Sequence, residues 1–379
     1  MPNYINMSII AAEVLDQLEY ELVAANLMYR DVTSDFSTVN GFKVGESVKV
    51  RTVPAYRTDE FAGTINPQEV NQSNTQITIE KHFDCSIVVG SREKTMNLDG
   101  VQREIVNPVA QSIGQQLDVY LLSKIVEAQG IYPSSNLGAN AADLALMNRS
   151  ANLQQISKSN RIALVDENLE ATLLSQDIFH KFDTRGQPAV TALQEASMGR
   201  LMGFNWYSSV NLPTVTHVAG TGAAVTNNAI GTLNKQGTST LQTNATVGTF
   251  NVGDKIAVTG AYRQYTVAVQ TLAGAVAIPL VEQISELIPN GAAVTTVGNG
   301  LAQTYQGIVF NPGAFSYACP MIEPAPVGGQ SATVTSNGFS LRVTEAYDIM
   351  TKKMYWSFDM LCAAKMTDMR LGMLLADTP

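Results

Sequence analysis

The stretch that decides the fold is Asn97–Gln129, NLDGVQREIVNPVAQSIGQQLDVYLLSKIVEAQ. Val101, Ile105, Val109, Ile113, Leu117, Tyr120, Leu121 and Ile125 recur at steps of three and four, which places them on one helical face. Asn97 or Asp99 can cap the start, because a short polar side chain accepts from the orphan N–H groups of a first turn. Gly130 follows the end, where a left-handed residue closes a helix at little steric cost. At 1.5 Å per residue such a helix spans roughly 45 Å, more than the width of a small domain. Pro108 lies inside it, deletes one backbone donor and predicts a bend near Ile105–Val109. The run reads as a strut, and the other segments read as elements that pack on it or reach away from it.

Upstream, residues 7–28 predict an amphipathic helix, with Met7, Ile10, Val14, Leu18, Leu22 and Ala25 on one stripe. Glu13, Asp16 and Glu19 flank that stripe. They form either a solvated face or a docking strip for a basic segment of a partner. After a loop at 31–46, Val48–Thr52 alternates apolar and basic residues. Ile77, Ile79, Phe83, Cys85, Ile87 and Val89 then alternate with polar neighbours over about 14 residues, longer than an ordinary strand. Between the two runs lies Arg57–Asn74, rich in Asn, Gln, Gly and Pro. The pattern predicts a two-stranded arm with a polar tip, and an isolated ribbon is marginal in water unless it is laid on another surface.

Downstream of the strut, residues 131–160 read as a loose stretch around an apolar patch at Leu144–Met147. Arg161–Val165 reads as a buried strand. Asp166 and Glu167 suit the start of a helix over Asn168–Leu174, and a second helix is expected over Val190–Met202. A strand over Phe204–Val210 ends at Leu212-Pro213, which makes an α/β layer. From about Thr216 to Asn299 charge becomes sparse. Short β-rich runs at Lys255–Thr259, Tyr265–Thr271, Ala275–Val281 and Ala293–Val297 alternate with Gly-containing turns, predicting an inserted small sheet or barrel. Gly307–Phe310 resumes the layer. Phe339–Val343 and Met354–Ala364 alternate as antiparallel strands, with a last short strand over Arg370–Leu375.

The 379 residues, 45% apolar and 15% charged, fit a folded chain of two or three domains. A net charge of −9 with no basic run argues against nucleic-acid readout, which rests on clustered Lys and Arg. Cys85, Cys319 and Cys362 are odd in number and far apart, and read as reduced small apolar side chains. The start MPNYINMSII is not a secretory signal, and no run approaches a membrane span. His82, His180 and His217 are isolated in sequence, and no Cys/His pair has metal-ligand spacing. His82 reads as a surface residue, and His180 is the only histidine considered for catalysis. No G-x-S-x-G or phosphate loop is present. Gly199 and Gly203 match G-x-x-x-G, read as close packing. Asp166-Glu167 reads as helix capping rather than an acid/base couple. Asn251–Asp254 has too few acids for a calcium loop. No covalent chemistry, cofactor or metal is expected.

The order of these elements resembles the major coat proteins of tailed phages with the HK97-type fold, within them the branch of the phage P22 coat protein. The resemblance is carried by MPNYINMSIIAAEVLDQLE, by Val44–Val48 leading into the ribbon, by Asp84–Gly90 before the strut, by Arg161–Val165, and by Gly199–Gly203 with Ser209–Pro213. It implies an α+β subunit with an N-terminal helical arm (1–46) and a β-ribbon E-loop (47–80). A P-domain (81–160) follows with its spine helix at 97–129. An A-domain (161–215 and 304–330) is interrupted by a compact β-barrel-like I-domain (216–303), and peripheral P-domain strands (331–379) close the chain. It further implies hexamers and pentamers of an icosahedral shell, first procapsid and then expanded capsid, enclosing double-stranded DNA without sequence-specific binding. A scaffolding protein and a portal protein are implied partners, and the implied location is the virion after assembly in the host cytoplasm. Glu13, Asp16 and Glu19 become candidate scaffold contacts. Arg57, Asp59, Glu60 and Glu69 become candidate inter-subunit contacts of the E-loop tip. Residues 52–80 contain no lysine, so a shell without E-loop lysine crosslinks is expected. The alternative from another class is a β-rich adhesion or carbohydrate-binding protein using 216–299, where only Phe250, Tyr262 and Tyr265 offer rings for stacking.

Overall fold

The computed structural model describes residues 7–29, 47–51, 63, 74–90, 105–181, 196–226, 237–324 and 330–379. It divides into two compact units. The first takes Met1–Val50, Thr75–Lys124 and Phe315–Lys365, and the second Arg51–Asn74, Ile125–Ala314 and Met366–Pro379.

The first unit is a five-stranded antiparallel sheet carrying helices. Its helices are α1 (Met7–Glu21), α2 (Ala24–Leu27) and α3 (Asn107–Ser123). A short ribbon pairs β1 (Ser47–Arg51) with β2 (Asn74–Thr78). The sheet runs β16 (Phe315–Ala318), β19 (Lys353–Met366), β18 (Phe339–Asp348), β17 (Gln330–Ser336), with β3 (Lys81–Gly90) also on β19. Its register gives it two faces. Phe83, Cys85 and Ile87 lie opposite Met360, Phe358 and Trp356, and Phe358 lies opposite Val343. These residues share one face with Leu341 and Phe339, and the strand residues of β18 and β19 among them are fully buried. His82, Asp84, Ser86 and Arg342 share the other face. α1 packs its expected stripe of Ile10, Val14 and Leu18 against α3, β17 and β18.

The strut differs from the sequence reading. Within the described residues it begins with a single π turn at Ile105-Val106, and the α-helix starts at Asn107. Residues 97–104 lie outside the described residues. Pro108 is the second residue of that α-helix, and Val106 before it is already helical (φ −63°, ψ −52°), so the turn its ring meets lies partly outside the described residues. Ser123 ends the α-helix, and a 3₁₀ turn over Lys124–Glu127 follows. Gly130 is not a left-handed cap but opens the strand β4 (Gly130–Ser134). A Cβ there would stand 3.3 Å from the carbonyl oxygen of Gly372, so it is small for packing. The expected helix over 7–28 is broken at Leu22-Val23. The carboxylate of Asp118 on α3 accepts from Val23 N (3.1 Å) and satisfies the first turn of α2. The expected long strand over 77–89 is interrupted at Ile79-Glu80. Only its first part belongs to the ribbon, and β3 belongs to the sheet.

The second unit holds a seven-stranded mixed sheet ordered β4, β20 (Gly372–Asp377), β15 (Ala302–Phe310), β5 (Ile162–Val165), β7 (Phe204–Ser208), β6 (Arg200–Leu201), with β8 (Val215–Val218) also on β15. α4 (Ala141–Leu153), α5 (Glu167–Leu174) and the short α6 (Asp177–His180) accompany it. Its core joins Leu144, Met147, Val165, Leu169, Phe204, Trp206, Val309 and Leu375. Four expectations change here. The loose stretch 131–160 contains β4 and α4, the helix capped by Asn140 accepting from Asp143 N at 2.8 Å. The expected helix to Met202 ends instead in a hairpin. Met202 and Gly203 both have positive φ, 52° and 85°, as a two-residue turn between twisted strands requires. Gly203 therefore serves the turn rather than close packing, since a Cβ there meets only Asn148 Oδ1 at 3.9 Å. Residues 182–195 of that expected helix lie outside the described residues. The last strand, expected with the peripheral set, joins this sheet between β4 and β15. Asp166 does cap α5, its Oδ1 accepting from Leu169 N at 2.8 Å.

The inserted segment leaves on β8 and returns on β15, which pair from Val218↔Ala302 to Val215↔Tyr305. An antiparallel exit and return costs the host sheet nothing, because the two ends are already neighbours. Between them lie a four-stranded sheet and a two-stranded one. The first is ordered β12 (Gln264–Thr266), β11 (Lys255–Val258), β14 (Ala293–Thr296), β9 (Ala223–Val225). The second pairs β10 (Thr240–Gln242) with β13 (Ala277–Pro279). They enclose a separate core of Leu241, Phe250, Ile256, Tyr265, Ile278, Ile284 and Val294. No continuous ladder closes the expected barrel among the described residues, but single bridges, Thr226↔Thr243 and Val267↔Leu280, join the two sheets at both edges.

Arg161 shows how the second unit handles a buried charge. It is 1% exposed, donates to Asn148 Oδ1 and Asn152 Oδ1 (both 3.0 Å) and to Ile156 O, and lies over the Phe204 ring at 5.3 Å. These acceptors stand at the C-terminal end of α4, where the helix dipole favours a cation. Arg161→Met leaves the buried Ile156 carbonyl unpaired and takes a donor from the half-buried Asn148 and the exposed Asn152, and is expected to lower unfolding stability by about 2 kcal/mol in urea titrations, with Arg161→Lys restoring only part.

Candidate assembly surfaces

α1 is amphipathic because its buried stripe returns every three to four residues. That spacing leaves Glu13 and Asp16 exposed together on the opposite side. Glu19 lies on the same helix, and its side chain is outside the described residues. Ile9, 58% exposed, is the apolar member of this acidic face.

The base of the ribbon is anchored by Tyr120. Its ring meets Phe83 edge-on at 6.2 Å. Its hydroxyl accepts from Ala364 N (3.1 Å) and donates to Glu80 Oε2 (3.2 Å), and Lys124 Nζ reaches the same carboxylate at 2.7 Å. Burial pushes the Tyr120 phenol up, so it stays protonated and able to donate. The hydrogen bond from Lys124 holds the Glu80 carboxyl below its usual range. Beneath the ribbon, Ile77, Ala318 and Ala363 form a small core with Val50 and Ile79. Arg57, Asp59, Glu60 and Glu69, the expected tip contacts, lie outside the described residues.

On the polar face of the same sheet, Asp84 and Asp359 stand directly opposite. Like charges in that position repel. Arg342 Nε donates to Asp359 Oδ2 at 3.0 Å, and Ser357 Oγ donates to Asp84 Oδ1 at 2.6 Å. Burial works to raise Asp84, but the hydroxyls of Ser357 and Ser86 outweigh it and hold the carboxyl low. His82 Nε2, read from sequence as a surface residue, lies 3.5 Å from Asp359 on this half-exposed face. The β18–β19 turn projects Ile349 and Met350, 77% and 92% exposed. Sequence patterning missed this tip because two apolar residues in a turn have no periodicity.

The inserted domain is fixed to its host sheet by polar groups. Asp254, buried, accepts from Gly220 N (3.1 Å) and Asn251 N (2.7 Å), and pairs with His217 Nε2 at 2.8 Å. Sequence distance hid the His217–Asp254 pair, and its bonds tie the first turn of the insertion to β11. Gln264 Oε1 accepts from Ile131 N and Gln264 O accepts from Gln129 Nε2, both at 2.6 Å, covering the edge of β4. Arg263 Nη2 donates to Gln155 Oε1 at 2.8 Å. Lys255 is buried, donating to Ala128 O and to Thr266 Oγ1 (2.9 Å). Burial lowers its pKa to about 8 against the pull of Glu282 and Glu127.

His180 closes α6, and its side chain lies outside the described residues. Among the described residues no group of three or more His, Cys, Asp or Glu side chains is placed to hold a metal ion. No described helix is long and apolar enough to cross a membrane.

A structure from Mycobacterium phage Che8 superposes with a TM-score of 0.52 at 12% identity, over 93% of this chain and 90% of that one. This is the HK97-type fold. The capsid of the cyanophage P-SCSP1u (TM-score 0.46, 12% identity, 88% and 84% covered) is also similar. So is a virus-like particle from Pyrococcus furiosus (0.41, 11%, 97% and 97%). No family model and no curated protein sequence matches the chain.

The Lys255 anchor has a signed pH dependence. Its folded pKa, about 8, lies below its unfolded value near 10.5. The unfolded chain therefore binds the extra proton between those values, and stability rises as pH climbs from about 8 to 10.5, by up to roughly 3 kcal/mol. Lys255→Met is expected to flatten that rise relative to wild type, read as the difference in thermal midpoint across this pH range.

Proposed function

We propose that this chain is the major capsid subunit of a tailed phage, a non-enzymatic protein whose copies assemble into an icosahedral shell. The observation that carries the reading is the HK97-type fold over nearly the whole chain, shared with the Che8 structure. The five-stranded sheet with the spine helix plays the part of the P-domain, the seven-stranded sheet that of the A-domain, and residues 47–80 that of the E-loop. The inserted domain takes the I-domain position, in keeping with the P22-like branch. The shell encloses double-stranded DNA. It forms on a scaffolding protein with a portal at one vertex in the host cytoplasm, and later expands. An acidic subunit suits this role, because a wall with net charge −9 encloses packed phosphate without gripping it. With no lysine between 52 and 80, the shell is held without E-loop lysine crosslinks, by many modest contacts acting together.

Glu13, Asp16 and Glu19 are the proposed scaffold contact, meeting basic side chains through the exposed face of α1. Arg57, Asp59, Glu60 and Glu69 are the proposed contacts of the E-loop tip with a neighbouring subunit. Co-expression with a scaffolding protein from the same genome, followed by sedimentation and electron microscopy, tests the whole reading. Closed shells are expected, and a chain that stays monomeric under all conditions overturns it. Deleting Glu60–Gln72 is expected to leave a soluble subunit that builds no stable shells. Reversing Glu13 and Asp16 to Lys is expected to slow scaffold-dependent assembly severalfold with no change in subunit melting, while unchanged kinetics assign that face to solvation alone.

A further inference from the structure

Cys319 and Cys362, 43 residues apart in sequence, meet in the first unit with their sulfurs 3.4 Å apart. Both are buried and free, whereas Cys85 is half-buried on β3. Cys319 follows Ala318 at the end of β16, and Cys362 precedes Ala363 on β19. Ala318 and Ala363 belong to the small core under the E-loop ribbon. The carbonyl of Cys362 also accepts from Glu80 N (3.3 Å), at the point where the chain passes from ribbon to sheet. A disulfide needs its sulfurs about 2.05 Å apart, so each has to move well under 1 Å.

We propose that Cys319 and Cys362 are a latent disulfide that closes when the particle leaves the reducing cytoplasm, stapling the end of β16 to β19 beneath the E-loop root. The timing rests on the capsid reading, and the chemistry rests on the subunit alone. The oxidant is hydrogen peroxide, small enough to reach a buried sulfur. One thiolate attacks a peroxide oxygen, the O–O bond breaks and hydroxide leaves, giving a sulfenic acid. The second sulfur then attacks that sulfenic sulfur, the S–S bond forms and water leaves. Two sulfurs are oxidised, and one peroxide is reduced to two waters. Burial and the neighbouring sulfur push the Cys362 thiol up, so thiolate is scarce and closure is slow. A slow reaction leaves the pair open during synthesis in a reducing cell and closes it over long exposure outside. Closure shortens the freedom of the unfolded chain across 43 residues and holds the ribbon root in place.

The test treats purified full-length subunit, and in parallel assembled particles, with hydrogen peroxide under native conditions. Free thiols are then alkylated and peptides mapped without reduction. The expected product is a Cys319–Cys362 linked peptide lost on reduction, with Cys85 alkylated and the thermal midpoint raised by about 5 °C. Cys362→Ser and Cys319→Ser should each abolish the linked peptide and the rise. The proposal is overturned if both buried thiols remain alkylatable after unfolding under an exposure that oxidises exposed thiols, or if the link formed involves Cys85. Because the subunit arm needs no shell, a failure to assemble is read separately from a failure to crosslink.

Discussion

Two helical stripes need cover, and one sheet face supplies it. Ile10, Val14 and Leu18 of α1, and Val109, Ile113, Leu117 and Leu121 of α3, are all nearly inaccessible to solvent. Each fully buried side chain of this kind contributes about 1.5–3 kcal/mol, so the layer outweighs any single polar contact in the unit. The sheet meets this demand by keeping two distinct faces. One carries Phe83, Trp356, Phe358, Met360 and Val343, and the other carries His82, Asp84, Ser86, Arg342 and Asp359. A shift of one residue in any strand would expose the first set and bury the second, so the register is strongly specified. The polar groups that must enter the layer arrive paired. Tyr120 satisfies the Ala364 amide and Glu80 at once, and Asp118 satisfies the amide of Val23.

The second unit solves a different problem, which is how to carry an extra domain without disturbing a sheet. β8 and β15 are hydrogen-bonded neighbours, so the insertion begins and ends at adjacent points. Its apolar residues close on themselves around Phe250, Ile256 and Tyr265. What remains between insertion and host is polar: Lys255 on Ala128, Gln264 on Ile131 and Gln129, and Arg263 on Gln155. A polar junction orients by direction, since each bond has a required angle, whereas an apolar one would tolerate sliding. Lys255 is the costly member, and its cost is visible in its lowered pKa.

Much of this was legible from residues alone, and the failures have physical reasons. Alternation in β18 and β19, the buried run of β5, the stripe of α1 and the turn-punctuated insertion all follow from periodicity. Gly203 was misread because sequence spacing does not distinguish a packing glycine from a turn glycine, and its φ of 85° does. α4 was missed because Ala141, Ala142, Ala145, Leu146 and Leu153 put apolar residues on its exposed side as well as on the buried side of Leu144, Met147 and Ala151, so no single stripe stands out. The cap at Asn140 was the available signal. Of the candidate contact residues, Glu13 and Asp16 are placed on one exposed face, while His217–Asp254 and Cys319–Cys362 emerged only from the coordinates.

The amino-acid order by itself determined α1, β5, β18, β19 and the turn-punctuated insertion, and which faces the first four bury, because those follow from clear periods of 3.6 and 2 or from unbroken apolar runs. It also determined an acidic chain without clustered histidines. The tertiary structure alone decided which strands pair, that the last strand joins the seven-stranded sheet, and which distant side chains meet. Pairing across long separations depends on closing loops and matching registers over the whole unit, and no local pattern encodes that sum.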